Sequence, residues 1–510
     1  MPAYYLEALT VTLGLVMLLA ESFVPSKQKS WVGFAGAIGL ALILVATFFA
    51  IGSEPKMSYA NVMGVDGVCN VREVPEPKAE WQKWPLWNFY QFDSLARFFK
   101  IFALLTTILV LLMAIDYRKI LSRYTENPDS ENGTGEYYCL PIFACAGMMW
   151  MASAKDLAGA FVALELVTIT FYILVAFMRR NAASLEAGAK FLILGALSTG
   201  FLVYGIAWVY GTTGTMNLSE ISNLKSQISN PIPLLFGIAL VLVALGFKVG
   251  AFPMQMWIPD VYQGAPTPTT AFLSVGSKAA GFILLIRFLT PFLADNSPVR
   301  SQVLTILLIL AGATLLYGNL AAIPQTNFKR LLAYSSIAHA GFLILALAAW
   351  APGTDSSVSS VEAVSFYLAT YLIMTMGVFF VLAQIRIHRD GEAITDFNGL
   401  GKSNPLLAMA MTVLLAALAG VPLTAGFIGK FFVFQLAAGA HLWAGLAIAV
   451  IAAAAGFYYY FKTIRAMWWI EASDTSAIPL PCISKIAIAT LTALTLVFGV
   501  YPAPILALLK

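Results

Sequence analysis

Residues 245–257 read LGFKVGAFPMQMW, and the interpretation of this stretch decides the fold. It sets Lys248 in an otherwise apolar run, five residues ahead of Pro253. A charge at the centre of a bilayer costs about 2.5–3.5 kcal/mol even on the lenient insertion scale, so such a lysine needs a reason. A proline close behind it ends or breaks the helix that carries it.

The rest of the chain has the same character. Of 510 residues, 60% are hydrophobic and only 11% charged, where soluble domains carry about 25% charged residues. The chain therefore falls in the membrane class. A net charge of +4, scattered without a basic tract, gives no basis for nucleic-acid binding. Cys69, Cys139, Cys145 and Cys482 are widely spaced and form no CxxC, which indicates neither a metal site nor a disulfide framework. The first 24 residues lack a basic n-region and a small-residue cleavage site, and read as a first membrane helix.

A crossing helix needs about 20 apolar residues. Fourteen segments qualify, near 3–24, 31–52, 96–115, 138–154, 156–178, 185–210, 232–256, 266–290, 301–321, 328–349, 360–385, 405–436, 442–468 and 484–507. The predicted fold is an all-α polytopic membrane protein. If the N-terminus lies outside, connections after odd-numbered segments hold fifteen Lys and Arg and the opposite side eleven. Six of those eleven (Lys56, Arg72, Lys78, Lys83, Arg97, Lys100) fall in or beside a long polar insert at about 53–95. Short loops obey the positive-inside rule, so both termini are expected on the outer side.

Four lysines remain inside membrane segments: Lys190, Lys248, Lys278 and Lys430. Lys190 sits five residues into its helix, where snorkelling to the interface and a functional role both stay open. Lys248, Lys278 and Lys430 lie deep, and polar groups at that depth mark ion paths. Glu165, about ten residues into the fifth segment, must be protonated, paired or hydrated, with the lysines as candidate partners. His339 is able to exchange protons near neutral pH. A lone buried histidine is more often structural, but Ser335 and Ser336 one turn earlier suggest a hydrated polar stripe. Glu362 and Asp260 read as interfacial or loop charges, and Glu186 would either pair with Lys190 or simply be solvated.

The seventh segment has an echo. LAGVPLTAGFIGKFF (418–432) again sets Gly and Pro near a lysine, five segments later. Glu165 precedes Lys248 by 83 residues and His339 precedes Lys430 by 91. Five is odd, so the two units run oppositely across the membrane. The domain reading is three N-terminal helices with the insert (1–115), a first repeat (138–290), a second, inverted repeat (301–468) and a final helix (484–507). Helices interrupted by Gly and Pro are how transporters place backbone groups beside ions at the midplane. This accounts for the over-long twelfth segment as two half-helices with an unwound joint. The chemistry indicated is acid–base, since a desolvated lysine can load and release a proton near neutral pH. No Gly-rich nucleotide loop, cysteine cluster or cofactor motif is visible.

Three stretches carry a resemblance. GFKVGAFPMQMWIPDVYQGAPTPTTAFLSVGSKAAGF (246–282), FKRLLAYSSIAHAGFLI (328–344) and AGVPLTAGFIGKFFVF (419–434) closely resemble the antiporter-like membrane subunits of respiratory complex I, the NADH-quinone oxidoreductase. The similarity runs over most of residues 96–507. Within that family the wording WIPDVYQGAPTP is similar to subunit N. So are Lys430, where subunit M would carry a glutamate, and a chain that stops after the fourteenth segment, where subunit L continues into a lateral helix. The resemblance implies proton pumping driven by NADH oxidation and quinone reduction elsewhere. Flavin, iron–sulfur clusters and quinone would belong to partner subunits, with no cofactor and no redox centre in this chain. It places the family's helix 5 glutamate on Glu165 and its lysines of helices 6, 7, 8 and 12 on Lys190, Lys248, Lys278 and Lys430. His339 stands where the family varies. Neighbouring antiporter-like and small membrane subunits are implied as partners, in a bacterial-type inner membrane. The 53–95 insert is longer than the family's and would dock a neighbouring subunit or fill the outer surface. The same core also serves multisubunit cation/proton antiporters and ferredoxin- or hydrogenase-linked pumps, and a scaffold with structural charges is the third class.

Overall fold

Backbone groups that meet no water must bond to one another, and a helix satisfies them within its own segment. The computed structural model describes residues 1–510 except 26–27, 53–56, 64–68, 76–82, 126–132, 224–229, 296, 352–357, 472–476 and 510. The chain opens with α1 (Tyr5–Phe23) and α2 (Ser30–Thr47). One antiparallel hairpin then departs from the helical pattern, with β1 (Met57–Met63) facing β2 (Cys69–Pro75) and Met57 opposite Pro75. It lies in the polar insert, of which residues 53–56, 64–68 and 76–82 fall outside the described residues.

Helices α3 (Ser94–Asp116), α4 (Gly135–Ser153), α5 (Leu157–Val175) and α6 (Ala182–Thr213) follow. The seventh segment is broken into α7a (Ile232–Val249) and α7b (Ile258–Gly264). Helix α8 (Thr267–Leu293) contains one π turn, Leu273–Ser277. Next come α9 (Arg300–Ala322), α10 (Phe328–Ala348) and α11 (Ser360–Arg389). The twelfth segment is two 15-residue helices, α12a (Pro405–Ala419) and α12b (Ala425–Gly439). Helices α13 (Trp443–Trp469) and α14 (Cys482–Val500) close the bundle.

The helix starts follow the sequence. Asp156 caps α5 by accepting from the Ala158 and Gly159 amides, both at 2.9 Å. Ser359 and Glu362 form a capping box on α11, so Glu362 is an ordinary helix-start charge. Close helix contact rests on small residues. A Cβ on Gly205 of α6 would stand 2.9 Å from the Gly237 carbonyl of α7a, and one on Gly318 of α9 only 2.6 Å from the Ala338 nitrogen of α10.

Twelve helical segments among the described residues are long and apolar enough to cross a membrane, so the chain is a multi-pass integral membrane protein. Helix α4, which opens on Glu136 and two tyrosines, is not among the twelve, and α12a and α12b are each too short. Every residue in the apolar stretch of α8 and of α10 is buried, against 28% in α1 and in α14. The centre is therefore α8, α10 and α11, and it is there that the polar groups gather.

Candidate proton-relay site

Lys248 owes its position to a helix end. Gly250 takes the left-handed conformation (φ 82°) and stops α7a two residues later, while Pro253 already lies beyond the helix. The Gly250 and Ala251 amides both donate to the Gly246 carbonyl, at 2.9 and 2.8 Å. The freed Phe247 carbonyl accepts from the Trp257 indole at 2.9 Å. A cation in the last turn is favoured by the carbonyl end of the helix dipole. The Lys248 ammonium donates to Thr168 Oγ1 on α5. That hydroxyl gives its own proton to the Leu164 carbonyl (2.7 Å), which leaves its lone pairs for the ammonium.

Glu165 sits one turn before Thr168 and accepts from Thr199 Oγ1 of α6 at 2.8 Å. Among the described residues it makes no ion pair with Lys248, on which it acts only through space. The pairing expected from sequence is thus indirect, because hydroxyls supply the contacts.

Lys278 follows the π turn and is fully buried. Its ammonium donates to the hydroxyl and to the carbonyl of Ser336 on α10. Tyr262 shares the Ser336 hydroxyl at 3.2 Å, and the Tyr371 ring lies 5.5 Å from Nζ. Tyr371 is hydrogen-bonded to Ser274 at 3.0 Å. Lys248 and Lys278 are close along the helix contact, since a Cβ on Gly281, one turn past Lys278, would lie 3.3 Å from the Lys248 Cβ.

His339 joins this row. Its Nδ1 meets the Tyr367 hydroxyl at 2.7 Å and its Nε2 the Tyr460 hydroxyl at 3.1 Å. Tyr460 is in turn bonded to Ser335, and the imidazole centroid is 5.0 Å from that of Tyr371. Both Lys278 and Lys430 act on His339 electrostatically. Lys430 rises from α12b to the open end of α12a, donating to the Leu418 and Ala419 carbonyls at 3.0 and 2.6 Å. Gly420 ends that half-helix at φ 94°, as Gly250 ends α7a. The two breaks are built alike, but Lys248 stands before its break and Lys430 ten residues after.

Lys190 does not join the row. It is exposed, paired with Glu186 at 2.7 Å and with Asp260 at 2.8 Å. Asp260 also holds Arg330 at 2.7 Å, so it is a bridging charge and not a solitary loop residue. Three lysines counted with loops are instead buried, and the first, Lys29, pairs with Glu21 at 2.5 Å. Lys100 pairs with Glu7 of α1, and Tyr90 bonds to both. Lys329 pairs with Glu392 at 3.1 Å and donates to the Ala265 carbonyl at 2.7 Å. Hydropathy placed Lys100 and Lys329 at segment ends, and only packing brings their acids to them. Thr168, Thr199, Tyr262, Tyr367, Tyr371 and Tyr460 were not singled out from sequence. The spacing of Tyr367 and Tyr371, one turn apart on a buried helix, was the signal available for two of them.

A family model described as "NADH:quinone oxidoreductase/Mrp antiporter, TM" matches residues 154–456. A protein from Desulforamulus reducens named NADH-quinone oxidoreductase subunit N is 35% identical over 495 residues, covering 97% of this chain and 94% of its own. This chain belongs to the subunit N family. Its fold agrees with solved members of the wider group. A chain of respiratory complex I from Thermus thermophilus with bound aureothin superposes with a TM-score of 0.74 at 29% identity, over 98% of both chains. A chain of the membrane-bound sulfane sulfur reductase, an archaeal respiratory membrane complex, gives 0.81 at 26% identity, over 99% of this chain and 96% of its own. The family match begins at residue 154 and ends at 456, so it encloses Glu165, Lys248, Lys278, His339 and Lys430.

Proposed function

We propose that this chain is the proton-translocating, antiporter-like membrane subunit of an NADH-quinone oxidoreductase. Glu165, Lys248, Lys278, His339 and Lys430 carry the proton, and Lys190, ion-paired at the surface with Glu186 and Asp260, stands outside that row. The observation behind this reading is a row of ionisable groups, half-buried at Glu165 and Lys248 and buried at Lys278, His339 and Lys430. Its links are hydroxyls, imidazole and half-helix carbonyls, all groups that pass or orient protons without covalent chemistry. Removing the charge on Glu165 loosens the proton on Lys248, and Lys278 next along the row takes it up. Electron transfer, with its flavin, iron–sulfur clusters and quinone, belongs to partner subunits, and this chain is the non-redox part of the translocase.

In this reading the chain crosses fourteen times, with 138–290 and 301–468 as an inverted pair and both termini on the outer side of a bacterial inner membrane. Neighbouring membrane subunits cover the α5/α6 face. Glu165 lies half-buried on that face among exposed Val162 (66%), Ile169 (54%) and Ile193 (68%). A carboxylate facing lipid is costly, so a protein surface belongs there.

The test is purification of the native assembly, followed by proton uptake in inverted vesicles. Recovery with flavin and iron–sulfur subunits, and a loss of NADH-driven acidification in Lys278→Ala with assembly intact, are the expected results. Recovery with transporter subunits alone, exchanging protons for Na⁺ without NADH, would move the chain to the antiporter reading. Normal pumping with failed assembly would make the charges structural.

A further inference from the structure

Helices α3, α11 and α14 do not close completely. Between them runs an apolar trough of about 640 Å³, whose lining includes Phe98, Phe102, Leu112, Leu372, Ile486 and Leu491. Its rim is open to the bilayer, with Leu105 40% and Ile486 61% exposed, while Phe102 and Leu491 on the floor are buried. From Phe98 to Leu112 the trough follows α3 for about 21 Å at 1.5 Å per residue. A polymethylene chain, whose carbons pack at about 4 Å, can lie along this apolar floor.

One mouth of the trough is charged. Ser484 at the start of α14 donates to the Asp116 carboxylate at the end of α3, and Gln384 of α11 donates to Ser484 at 2.8 Å, so the three helix ends meet there. Arg118, Lys119, Arg386 and Lys485 lie within three residues of that junction, against the one acid, Asp116. Lys119 and Lys485 are exposed, and Lys485 adjoins Ile486 on the rim. The excess is cationic and lies where a lipid headgroup would stand.

We propose that the trough between α3, α11 and α14 binds one acyl chain of an anionic phospholipid, whose headgroup rests on Lys119 and Lys485. The lipid fills the gap left between three helices that meet at the Asp116–Ser484–Gln384 junction. The site is independent of the proton row, so lipid binding and pumping are separate readouts.

The test uses the assembled complex in vesicles of phosphatidylglycerol bearing a photoreactive diazirine on one acyl chain, with the matching phosphatidylcholine as control. Expected are adducts mapped to α3 and α14, several-fold more from phosphatidylglycerol than from phosphatidylcholine. The Lys119→Gln/Lys485→Gln pair removes that preference. Thr490→Trp on the rim blocks labelling by both lipids, and the milder Thr490→Leu keeps it if tryptophan disturbs folding. Equal labelling by both lipids in every variant, or crosslinking of the trough to a partner subunit in place of lipid, overturns the proposal.

Discussion

The Lys248 ammonium touches a threonine whose own proton is committed to the Leu164 carbonyl, so that hydroxyl can only accept from it. Thr168→Val removes the acceptor at constant shape and is expected to lower the protons moved per NADH oxidised several-fold, while Thr168→Ser keeps most of it. Quenching of a pH-sensitive dye in inverted vesicles measures both, and equal values for Val and Ser would exclude a relay role for the hydroxyl. Away from the row, Glu7 and Lys100 form a buried pair that stabilises by mutual satisfaction. Breaking one partner of such a pair costs about 3–5 kcal/mol, and apolar replacement of both is far milder. Glu7→Gln should therefore lower the unfolding temperature of the purified complex well below that of Glu7→Met/Lys100→Met. Asp93 starts α3 and accepts from Arg287 of α8 at 2.6 and 2.7 Å. Burial pushes its carboxyl up, but the Arg287 hydrogen bonds and charge outweigh burial and hold it below the ordinary aspartate value. A depressed carboxyl stabilises above its unfolded-state pKa and loses that contribution as pH falls through its folded one. The clamp between α3 and α8 should thus persist through neutral pH and loosen only below about pH 4, as followed by hydrogen exchange at the start of α3.

The two broken helices depend on one glycine each. At Gly420 the backbone is left-handed, and an added Cβ would lie 3.0 Å from the Lys430 Cδ and 3.2 Å from its Nζ. Gly420→Ala is expected to cost about 1–2 kcal/mol in backbone strain and to displace Lys430 from the Leu418 and Ala419 carbonyls. Pumping should fall while assembly is kept, and normal coupling in that variant would show the carbonyl end of α12a to be dispensable. The breaks themselves were legible, since Gly and Pro inside over-long apolar segments have few other uses. Which residue breaks the first helix was not. Proline is the visible breaker at 253, yet Gly250 ends α7a first because only its φ of 82° lets two amides fold back on Gly246. The π turn before Lys278 was likewise illegible, for no residue in Leu273–Ser277 marks it.

For the molecule as a whole, the exposed apolar face of α5 and α6 around Glu165 predicts a neighbour. Ile193→Arg on that face should block incorporation into the complex, read by native gel electrophoresis, whereas the same change on the lipid side of α1, at Leu19, should be better tolerated. Incorporation of both variants alike would mean that lipid covers α5 and α6. By itself the sequence determined the membrane class, nearly every span, the two interruptions and the deep ionisable groups Glu165, Lys248, Lys278, His339 and Lys430. Hydrocarbon penalises charge so heavily that each exception shows in one dimension. Only the tertiary structure decided which helices are central, because lipid-facing and core-facing surfaces are equally apolar and hydropathy cannot tell α8 from α1. It alone moved Lys190 to the surface, buried Lys29, Lys100 and Lys329, and supplied the threonine and tyrosine hydroxyls of the row. A charge announces its own cost in the sequence, but the partner that offsets that cost stands on another helix, and the distance between them exists only in the folded chain.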